Sequence, residues 1–292
     1  MTDIPKNRSL ADMIQKPGQG VVAPGVYDAL TALIASQAGF SCLYVSGAAV
    51  AHSRLGRPDL GLVSVTEMAE TISCIADRLQ VPLIADGDTG FGNALNTQRT
   101  MRLYERAGVA AIQLEDQEFP KRCGHLAGKR LVSKTEMQGK ITAACAARSL
   151  DGPLVIARTD AIAVEGFEAA MLRAEGYLEA GADILFIEAP ADRAQLAEIG
   201  QHFGKRVPLV ANMVEGGRTP LVSADDLFAL GFRIVIFPGG IARALSHHAR
   251  IYYESLMTTG SNAAFRDRMT DFDGLNDVVG LADLLQESER YS

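Results

Sequence analysis

The feature that most constrains the fold is a series of eight short apolar runs separated by segments with helical periodicity. Each run has four or five residues, is rich in Val, Ile and Leu, and shows little polar alternation, which is typical of a strand buried on both faces. The runs cover residues 20–23, 42–45, 81–85, 111–114, 154–157, 184–187, 207–211 and 234–237. Alternating strands and helices predict a parallel sheet.

The segments between the runs carry apolar residues at three- and four-residue spacing, as amphipathic helices do. They predict helices at 29–37, 65–78, 97–107, 133–147, 167–180, 191–203 and 224–230, with an extra helix at 7–14 and further helices after residue 243. Ser64 and Ser133 each precede a Glu by three residues, which is capping-box spacing. Four of the helices are followed by glycine, a common residue just after a helix end (Gly39, Gly108, Gly181, Gly231).

Eight strand–helix units favour an α/β fold, a (β/α)8 TIM-type barrel. An open doubly wound sheet is the alternative, but no G-x-G-x-x-G motif follows the first run to support a dinucleotide site. Although 292 residues would suit two domains, α/β barrels of this length form one. We therefore expect a single domain over 1–292, with the barrel at about 18–245 and a helical extension at about 246–292.

The composition excludes several function classes. With 35 acidic and 28 basic residues, a net charge of −7 argues against nucleic-acid binding through counterion release. We find no apolar run of ~18 residues for a membrane span and no signal-peptide core at the N-terminus. Four cysteines are too few for a disulfide framework. We expect a cytoplasmic protein with a small-molecule substrate and no nucleic-acid or membrane partner.

Polar side chains follow most of the runs, where the strands of such a barrel end and active sites lie. They are Ser46, Asp86, Asp88, Glu115, Arg158, Glu188 and Asn212, with Arg243 beyond the last run. Converging carboxylates cannot all ionise without a cation, and Mg²⁺ with retained waters suits few direct carboxylates. Any single carboxylate could instead cap a helix or support an ion pair. The arginines indicate an anionic substrate, because their fork matches a carboxylate or a phosphate.

The segment 117–132 after the fourth run is an unusually long, basic loop, which predicts a mobile lid over the site. Within it, Cys123 has Lys121, Arg122 and His125 as neighbours. A cationic setting of this kind lowers a thiol pKa, so Cys123 is a candidate reactive residue. His125 has no second His or Cys at zinc spacing, which makes a substrate or acid–base role the better interpretation.

Together, these motifs resemble the isocitrate lyase/phosphoenolpyruvate mutase superfamily over residues 8–285, in particular its 2,3-dimethylmalate lyase and methylisocitrate lyase branch. The motifs are Ser46-Gly47-Ala48, the stretch 86–93 (DGDTGFGN), Glu115-Asp116-Gln117, the stretch 121–125 (KRCGH), Arg158-Thr159-Asp160 and the stretch 212–217 (NMVEGG). The resemblance implies a Mg²⁺-dependent reaction, with Mn²⁺ as an alternative ion. It also implies a homo-oligomer, a tetramer whose C-terminal helices are exchanged between subunits.

The resemblance also implies roles for residues that match the motifs. Asp86 and Asp88 correspond to the metal site, with Asp59, Glu115 and Glu188 as outer supports. Arg158 corresponds to the residue on the developing oxyanion. The implied substrate-binding set is Ser46, Gly47, Ala48, Gly124, His125, Glu188, Asn212 and Arg243.

The Lys-Arg-Cys-Gly-His stretch resembles the C–C lyases of the superfamily and implies cleavage of a 2-hydroxycarboxylate. In that mechanism a base, with Tyr44 as the candidate, removes the hydroxyl proton, and Cys123 protonates the carbanion as general acid. The stretch 269–276 has no arginine at the place where methylisocitrate lyases bind an extra carboxylate. We therefore expect a dicarboxylate, a 2-alkylmalate such as 2,3-dimethylmalate, to be cleaved to pyruvate and a monocarboxylic acid.

Alternative functions remain open at this point. They are a 2-methylisocitrate lyase acting on a tricarboxylate, an oxaloacetate hydrolase or decarboxylase, and a carboxyphosphonoenolpyruvate or phosphonopyruvate enzyme. A non-catalytic carboxylate-binding barrel is the alternative from another class, but the complete set of carboxylates and arginine argues against it.

Overall fold

The computed structural model describes residues 6–15, 19–124 and 128–292. Eight parallel strands close into a barrel in chain order, with the last strand paired to the first. The strands are β1 (Val21–Val26), β2 (Leu43–Val45), β3 (Leu83–Asp86), β4 (Ala111–Glu115), β5 (Leu154–Thr159), β6 (Ile184–Ile187), β7 (Leu209–Asn212) and β8 (Ile234–Phe237). The predicted TIM-type barrel is confirmed, and each apolar run supplies one strand.

Helices precede β1 and follow each strand. They are α1 (Lys6–Gln15), α2 (Ala29–Gln37), α3 (Gly47–Val50), α4 (Val65–Arg78), α5 (Ala94–Ala107), α6 (Lys134–Ala147), α7 (Ile162–Glu165), α8 (Phe167–Glu179), α9 (Arg193–Phe203), α10 (Ala224–Ala229), α11 (Gly240–Thr259), α12 (Phe272–Val279) and α13 (Leu281–Glu289). The periodicity predicted most of these helices but missed α3 and α7, because one helical turn is too short to show an apolar stripe.

Local chemistry explains where the elements begin and end. Ser64 and Glu67 form the predicted capping box at the start of α4. Helix α5 begins three residues before its predicted start, because the Asn93 side chain accepts hydrogen bonds from the backbone at Leu95 and Asn96. Gly108 ends that helix at φ +93°, a conformation that glycine adopts without strain.

The barrel interior holds a continuous apolar core, formed by side chains from the strands together with the first helix. Leu10 and Ile14 of α1 belong to the same buried cluster as Val21, Ile184 and Ile234, which begin β1, β6 and β8. The extra N-terminal helix was therefore predicted correctly, and it covers the amino end of the barrel. This leaves the carboxyl ends of the strands to carry the polar groups.

Contacts divide the chain into two compact units, residues 1–240 and 241–292. The second unit contains most of α11, a 3-10 turn (Ala263–Arg268) and the last two helices. Within it, Phe272, Leu284 and Met257 expose large apolar side chains. The predicted single domain and the exchanged C-terminal helices stay predictions. In the described parts of the chain, no helix has the length and apolarity to cross a membrane.

Candidate active site

The carboxyl ends of the strands surround a cavity of about 50 Å³, which has room for only a few water molecules. Most of the predicted site residues line it together. They are Tyr44, Ser46, Ala48, Asp59, Asp86, Glu115, Cys123, Gly124, Arg158, Glu188 and Asn212. The topology brings them together because β2 to β7 contribute residues at or near their carboxyl ends, while Asp59, Cys123 and Gly124 come from loops.

Four of the predicted site residues need separate mention, and one of them, Asp88, belongs to the charged group described next. Gly47 lies against Asp86, since a Cβ built on it would be 3.0 Å from Asp86 Oδ2. Arg243 is exposed on α11, in the second unit, and its substrate-binding role stays a prediction. His125 lies outside the described residues.

One group of charges, which we call the Lys121 cluster, contains Lys121, Asp59 and Asp88. The buried Lys121 ammonium lies 2.6 Å from Asp59 Oδ1 and 2.8 Å from Asp88 Oδ1. Burial raises the pKa of Asp88 to about 7, and the neighbouring carboxylates Asp86 and Asp59 add to this rise while Lys121 opposes it. Although burial alone would lower the pKa of Lys121, Asp88 and Asp59 raise it well above its usual value.

A chain of hydrogen bonds orients Asp86. The Tyr44 hydroxyl donates to Gln113 Oε1 at 2.9 Å, and Gln113 Nε2 donates to Asp86 Oδ1 at 3.2 Å. The Asp88 backbone N–H donates to the same carboxylate oxygen. Burial and the charge of Asp86 raise the pKa of Tyr44 well above its usual value, so this residue is a neutral donor here.

A second group, the Arg158 cluster, contains Arg158, Asp160 and Lys129. Arg158 donates from Nε and Nη2 to the two oxygens of Asp160, at 2.9 and 3.1 Å. Lys129 Nζ donates to Asp160 Oδ1 at 2.7 Å. Burial would raise the pKa of Asp160, but Arg158 and Lys129 outweigh it and hold that pKa at about 2.

Strand register places Glu115 beside the Arg158 cluster, since Glu115 pairs with Arg158 across β4 and β5. Its carboxylate lies 3.4 Å from Arg158 Nε. Burial raises the pKa of Glu115 well above its usual value despite this cation. Glu115 Oε1 is buried, and no described residue forms a hydrogen bond to it.

A buried layer behind the mouth supports the Arg158 cluster. Asp116 accepts hydrogen bonds from the Thr159 hydroxyl at 2.7 Å, the Asp160 backbone N–H at 2.9 Å and the Tyr177 hydroxyl at 2.8 Å. Arg173 donates to Tyr177 and forms a bidentate ion pair with Glu165. The backbone at the end of β5, which carries Asp160, is thereby held in place.

The loop between β4 and α6 covers the cavity with its Cys123–Gly124 turn. A side chain at Gly124 would collide with the Arg158 guanidinium and the Glu188 carboxylate, so the loop backbone lies directly on both groups. Asn212 donates to both oxygens of Glu188, at 3.1 and 3.2 Å. All four cysteines lie in the described part of the chain, and none forms a disulfide.

Several important residues were missing from the predicted site. They are Lys121, Lys129, Gln113 and Asp160. Gln113 had a usable signal, because a polar side chain within an otherwise apolar strand must find a buried partner. The two lysines were predicted only as cations of the basic loop at the mouth, because nothing local distinguishes a buried, paired loop lysine from an exposed one.

The donor set of the mouth fits a hard divalent cation. The six carboxyl groups of Asp59, Asp86, Asp88, Glu115, Asp160 and Glu188 accompany three cationic side chains, Lys121, Lys129 and Arg158. Among the described residues, no group of three or more His, Cys, Asp or Glu is arranged as a metal cage. Mg²⁺ needs no such cage, because it binds through one or two carboxylates and keeps several waters.

Fold and site together define an α/β-barrel protein with a charged cavity at the carboxyl ends of its strands, lined in part by the β4–α6 loop. The family model described as phosphoenolpyruvate phosphomutase matches residues 10–257. The chain belongs to this family, and the resemblance stated from the motifs is confirmed.

Individual relatives narrow the comparison. The chain is 43% identical to the 2,3-dimethylmalate lyase of Eubacterium barkeri over 274 residues, covering 93% of each chain. It is 46% identical to the 2-methylisocitrate lyase of Aeropyrum pernix over 265 residues, covering 90% of this chain and 84% of the relative. A crystal structure of 2,3-dimethylmalate lyase superposes with a TM-score of 0.94 at 37% identity, covering 99% and 96% of the two chains. The prediction of a lyase is thus confirmed at the level of its relatives.

Proposed function

We propose that this protein is a Mg²⁺-dependent C–C lyase that cleaves a 2-alkylmalate to pyruvate and a monocarboxylic acid. The observation that carries the proposal is the seating of the Cys123–Gly124 turn on Arg158, which places a thiol and a guanidinium in one small cavity. A thiol is a proton donor, and a guanidinium stabilises an oxyanion. Cleavage of a 2-hydroxycarboxylate needs both.

Mg²⁺ would be held by Asp86 and Asp88, with Asp59 and Glu115 in support. The excess of carboxyl groups favours a divalent cation at this place, and so does Glu115 Oε1, to which no described residue forms a hydrogen bond. When bound, Mg²⁺ acts as a Lewis acid toward the oxygens of the 2-hydroxycarboxylate. Gln113 and the Asp88 backbone hold Asp86 ready for this role.

The chain's own residues perform the remaining work. Asp160 holds Arg158 by two hydrogen bonds, which leaves other N–H donors of the guanidinium for the oxygen on C2 of the substrate. A carboxylate of the mouth, for which Glu115 beside Arg158 Nε is our candidate, accepts the proton of the C2 hydroxyl as the C2–C3 bond breaks. Cys123 then donates a proton to the carbanion that is left. Tyr44 donates a hydrogen bond to Gln113, and we assign it this orienting role in place of proton acceptor.

Binding of such a substrate requires the β4–α6 loop to move, because a cavity of about 50 Å³ cannot hold a dicarboxylate. The predicted mobile lid is therefore part of the proposal. A cytoplasmic location and a homotetramer are also part of the proposal. The exposed apolar side chains of the second unit support association with other subunits.

Incubation of the protein with Mg²⁺ and a panel of 2-alkylmalates tests the proposal, with pyruvate detected through lactate dehydrogenase. We expect pyruvate from at least one 2-alkylmalate and none after Cys123→Ser. Activity confined to 2-methylisocitrate would instead identify a tricarboxylate lyase. Full activity of Cys123→Ser would remove the thiol from the mechanism.

A tricarboxylate lyase is the second candidate, because a 2-methylisocitrate lyase is 46% identical to the chain. The stretch 269–276 argues against it, since it offers no arginine for a third carboxylate. Oxalate or carbon dioxide from oxaloacetate, or phosphate from phosphonopyruvate, would reveal the other members of the predicted set.

A further inference from the structure

Lys129 is a buried cation at the far end of the β4–α6 loop. Only 2% of its side chain is exposed, and its partner Asp160 is completely buried. Burying an ammonium group is costly unless it is paired and hydrogen-bonded, so its contacts have to be good. The proposed mechanism uses Arg158 and Cys123 but assigns no role to this lysine.

The ammonium of Lys129 joins two parts of the site. It donates to Asp160 Oδ1 at 2.7 Å and also to the backbone carbonyl of Gly124. The same oxygen of Asp160 accepts from Arg158 Nη2 at 3.1 Å. One lysine therefore contacts both the loop backbone next to Cys123 and the carboxylate that orients Arg158.

The Cys123–Gly124 turn, which Lys129 contacts, lies against the Arg158 guanidinium, which Asp160 orients. Gly124 packs on the Arg158 guanidinium and on Glu188, without room for a Cβ. If Lys129 loses its hold on Gly124, the turn can lift from Arg158. If it loses its hold on Asp160, the carboxylate keeps only part of its charge-assisted bonding and orients Arg158 less strictly.

We propose that Lys129 is a positioning residue that couples the seating of the Cys123–Gly124 turn to the orientation of Arg158. It acts through Asp160 and the Gly124 carbonyl, without touching the substrate. The inference deepens the proposed lyase function and rests on it. Its physical part, the hold on the turn, can be measured without any turnover.

Lys129→Met tests the proposal, with Arg130→Met as the matched control from the same loop. Arg130 is 77% exposed and pairs with Glu118, so its loss should leave kcat within about twofold. We expect Lys129→Met to lower kcat by about 100-fold with KM changed much less, because misplaced catalytic groups cost mainly transition-state stabilisation. Lys129→Arg should recover part of kcat, since it restores a cation.

The isosteric Asp160→Asn provides a second variant and a double-mutant cycle. If Lys129 acts in part through Asp160, adding Lys129→Met to Asp160→Asn should lower kcat by clearly less than about 100-fold, the remaining effect coming from the lost contact with the Gly124 carbonyl. Fully multiplicative effects of the two substitutions would overturn the coupling. Circular dichroism and urea denaturation would show that each variant folds before its kinetics are compared.

Alkylation of Cys123 by iodoacetamide, followed by peptide mass spectrometry, gives a readout independent of the reaction. We expect Lys129→Met to speed alkylation of Cys123 about fivefold or more, with Cys74 and Cys145 unchanged, because local opening sets the access of reagent. If the wild-type protein cleaves no substrate of the panel but Lys129→Met is still alkylated faster than it, the contact of Lys129 with the turn stands and the lyase function is refuted. An unchanged alkylation rate together with unchanged kcat would overturn the proposal for Lys129.

Discussion

The Lys121 cluster and the Arg158 cluster differ in their ratio of cations to carboxylates. Each contains a buried lysine from the β4–α6 loop. In the Lys121 cluster one ammonium faces Asp59 and Asp88, and the pKa of Asp88 rises to about 7. In the Arg158 cluster two cations face Asp160, and its pKa falls to about 2.

The difference shows that charge balance, more than burial, divides the labour of the site. Asp88 and Asp160 are almost equally buried, yet their pKa values move in opposite directions because of the ratio of cations to carboxylates. In the Arg158 cluster the cations outnumber the carboxylate, so Asp160 stays ionised and keeps Arg158 oriented. In the Lys121 cluster the carboxylates outnumber the cation, which suits this cluster to bind a divalent ion.

The largest expected effect comes from removing the central cation of the Arg158 cluster. Arg158→Met should lower kcat by about 10³-fold, because it removes the donor for the developing oxyanion. Steady-state kinetics with the best substrate of the panel measures this change, and circular dichroism checks the fold. A decrease of less than tenfold would show that Arg158 does not act on the reacting oxygen.

Removing each lysine in turn compares the clusters directly. Without metal, Lys121→Met should lower the free energy of unfolding by roughly 3 kcal/mol, because two buried carboxylates lose their shared cation. Lys129→Met should cost less, since Asp160 keeps Arg158. Urea denaturation in EDTA measures both, and equal losses would contradict the comparison. Saturating Mg²⁺ should restore most of the loss in Lys121→Met.

The Lys121 cluster should also make the metal-free protein less stable at high pH. The pKa of Asp88 is about 7 when folded and ~3.9 when unfolded, so its stabilising contribution is present below pH ~4 and is lost as pH rises through 7. Asp88→Asn should flatten this dependence by roughly 1 kcal/mol per pH unit between pH 5 and 7. Urea denaturation in EDTA across this range is the measurement.

Two other carboxyl groups also contribute to the pH dependence of stability. Glu115 has a raised pKa and contributes in the same direction, so some slope should remain in Asp88→Asn. Asp160 has a lowered pKa, and its contribution is lost only as pH falls from ~4 toward 2, outside the measured range. An unchanged slope in Asp88→Asn would show that its carboxyl ionises normally.

The smallest expected effect concerns the chain of hydrogen bonds that orients Asp86. Tyr44→Phe removes one hydrogen bond to Gln113 and should lower kcat about tenfold, the cost of a single orienting bond. A loss of about 10³-fold would be typical of a proton acceptor and would restore that predicted role. The pH profile of kcat separates the two, since only an acceptor adds an ionisation to it.

The fold was largely predictable from local pattern. Strands buried on both faces read as short apolar runs, and the amphipathic helices show their periodicity, so the bounds of α2 and α4 were predicted without error. The end of β1 was placed three residues early, because Pro24 and Gly25 resemble a turn. In the barrel, Gly25 packs against the backbone of Pro238 and the strand continues.

The candidate site was predictable in its outline, because the ends of parallel strands converge in any such barrel. Asp86, Glu115, Arg158 and Glu188 were found by this rule and line one cavity. Burial of the loop lysines was not predictable in this way. It depends on which strand ends the loop reaches, and residues up to 62 positions apart meet there.

The sequence by itself determined the barrel, the ring of carboxylates at its mouth and the cysteine-bearing loop beside them, because these follow from periodicity and from the order of strands. Only the tertiary structure decided the charge state of the mouth. A pKa depends on burial and on the charges within a few ångströms, and packing brings those charges together from distant parts of the chain. Packing therefore raises the pKa of Asp88 and lowers that of Asp160. It also pairs Lys129 with Asp160, the carboxylate that orients Arg158.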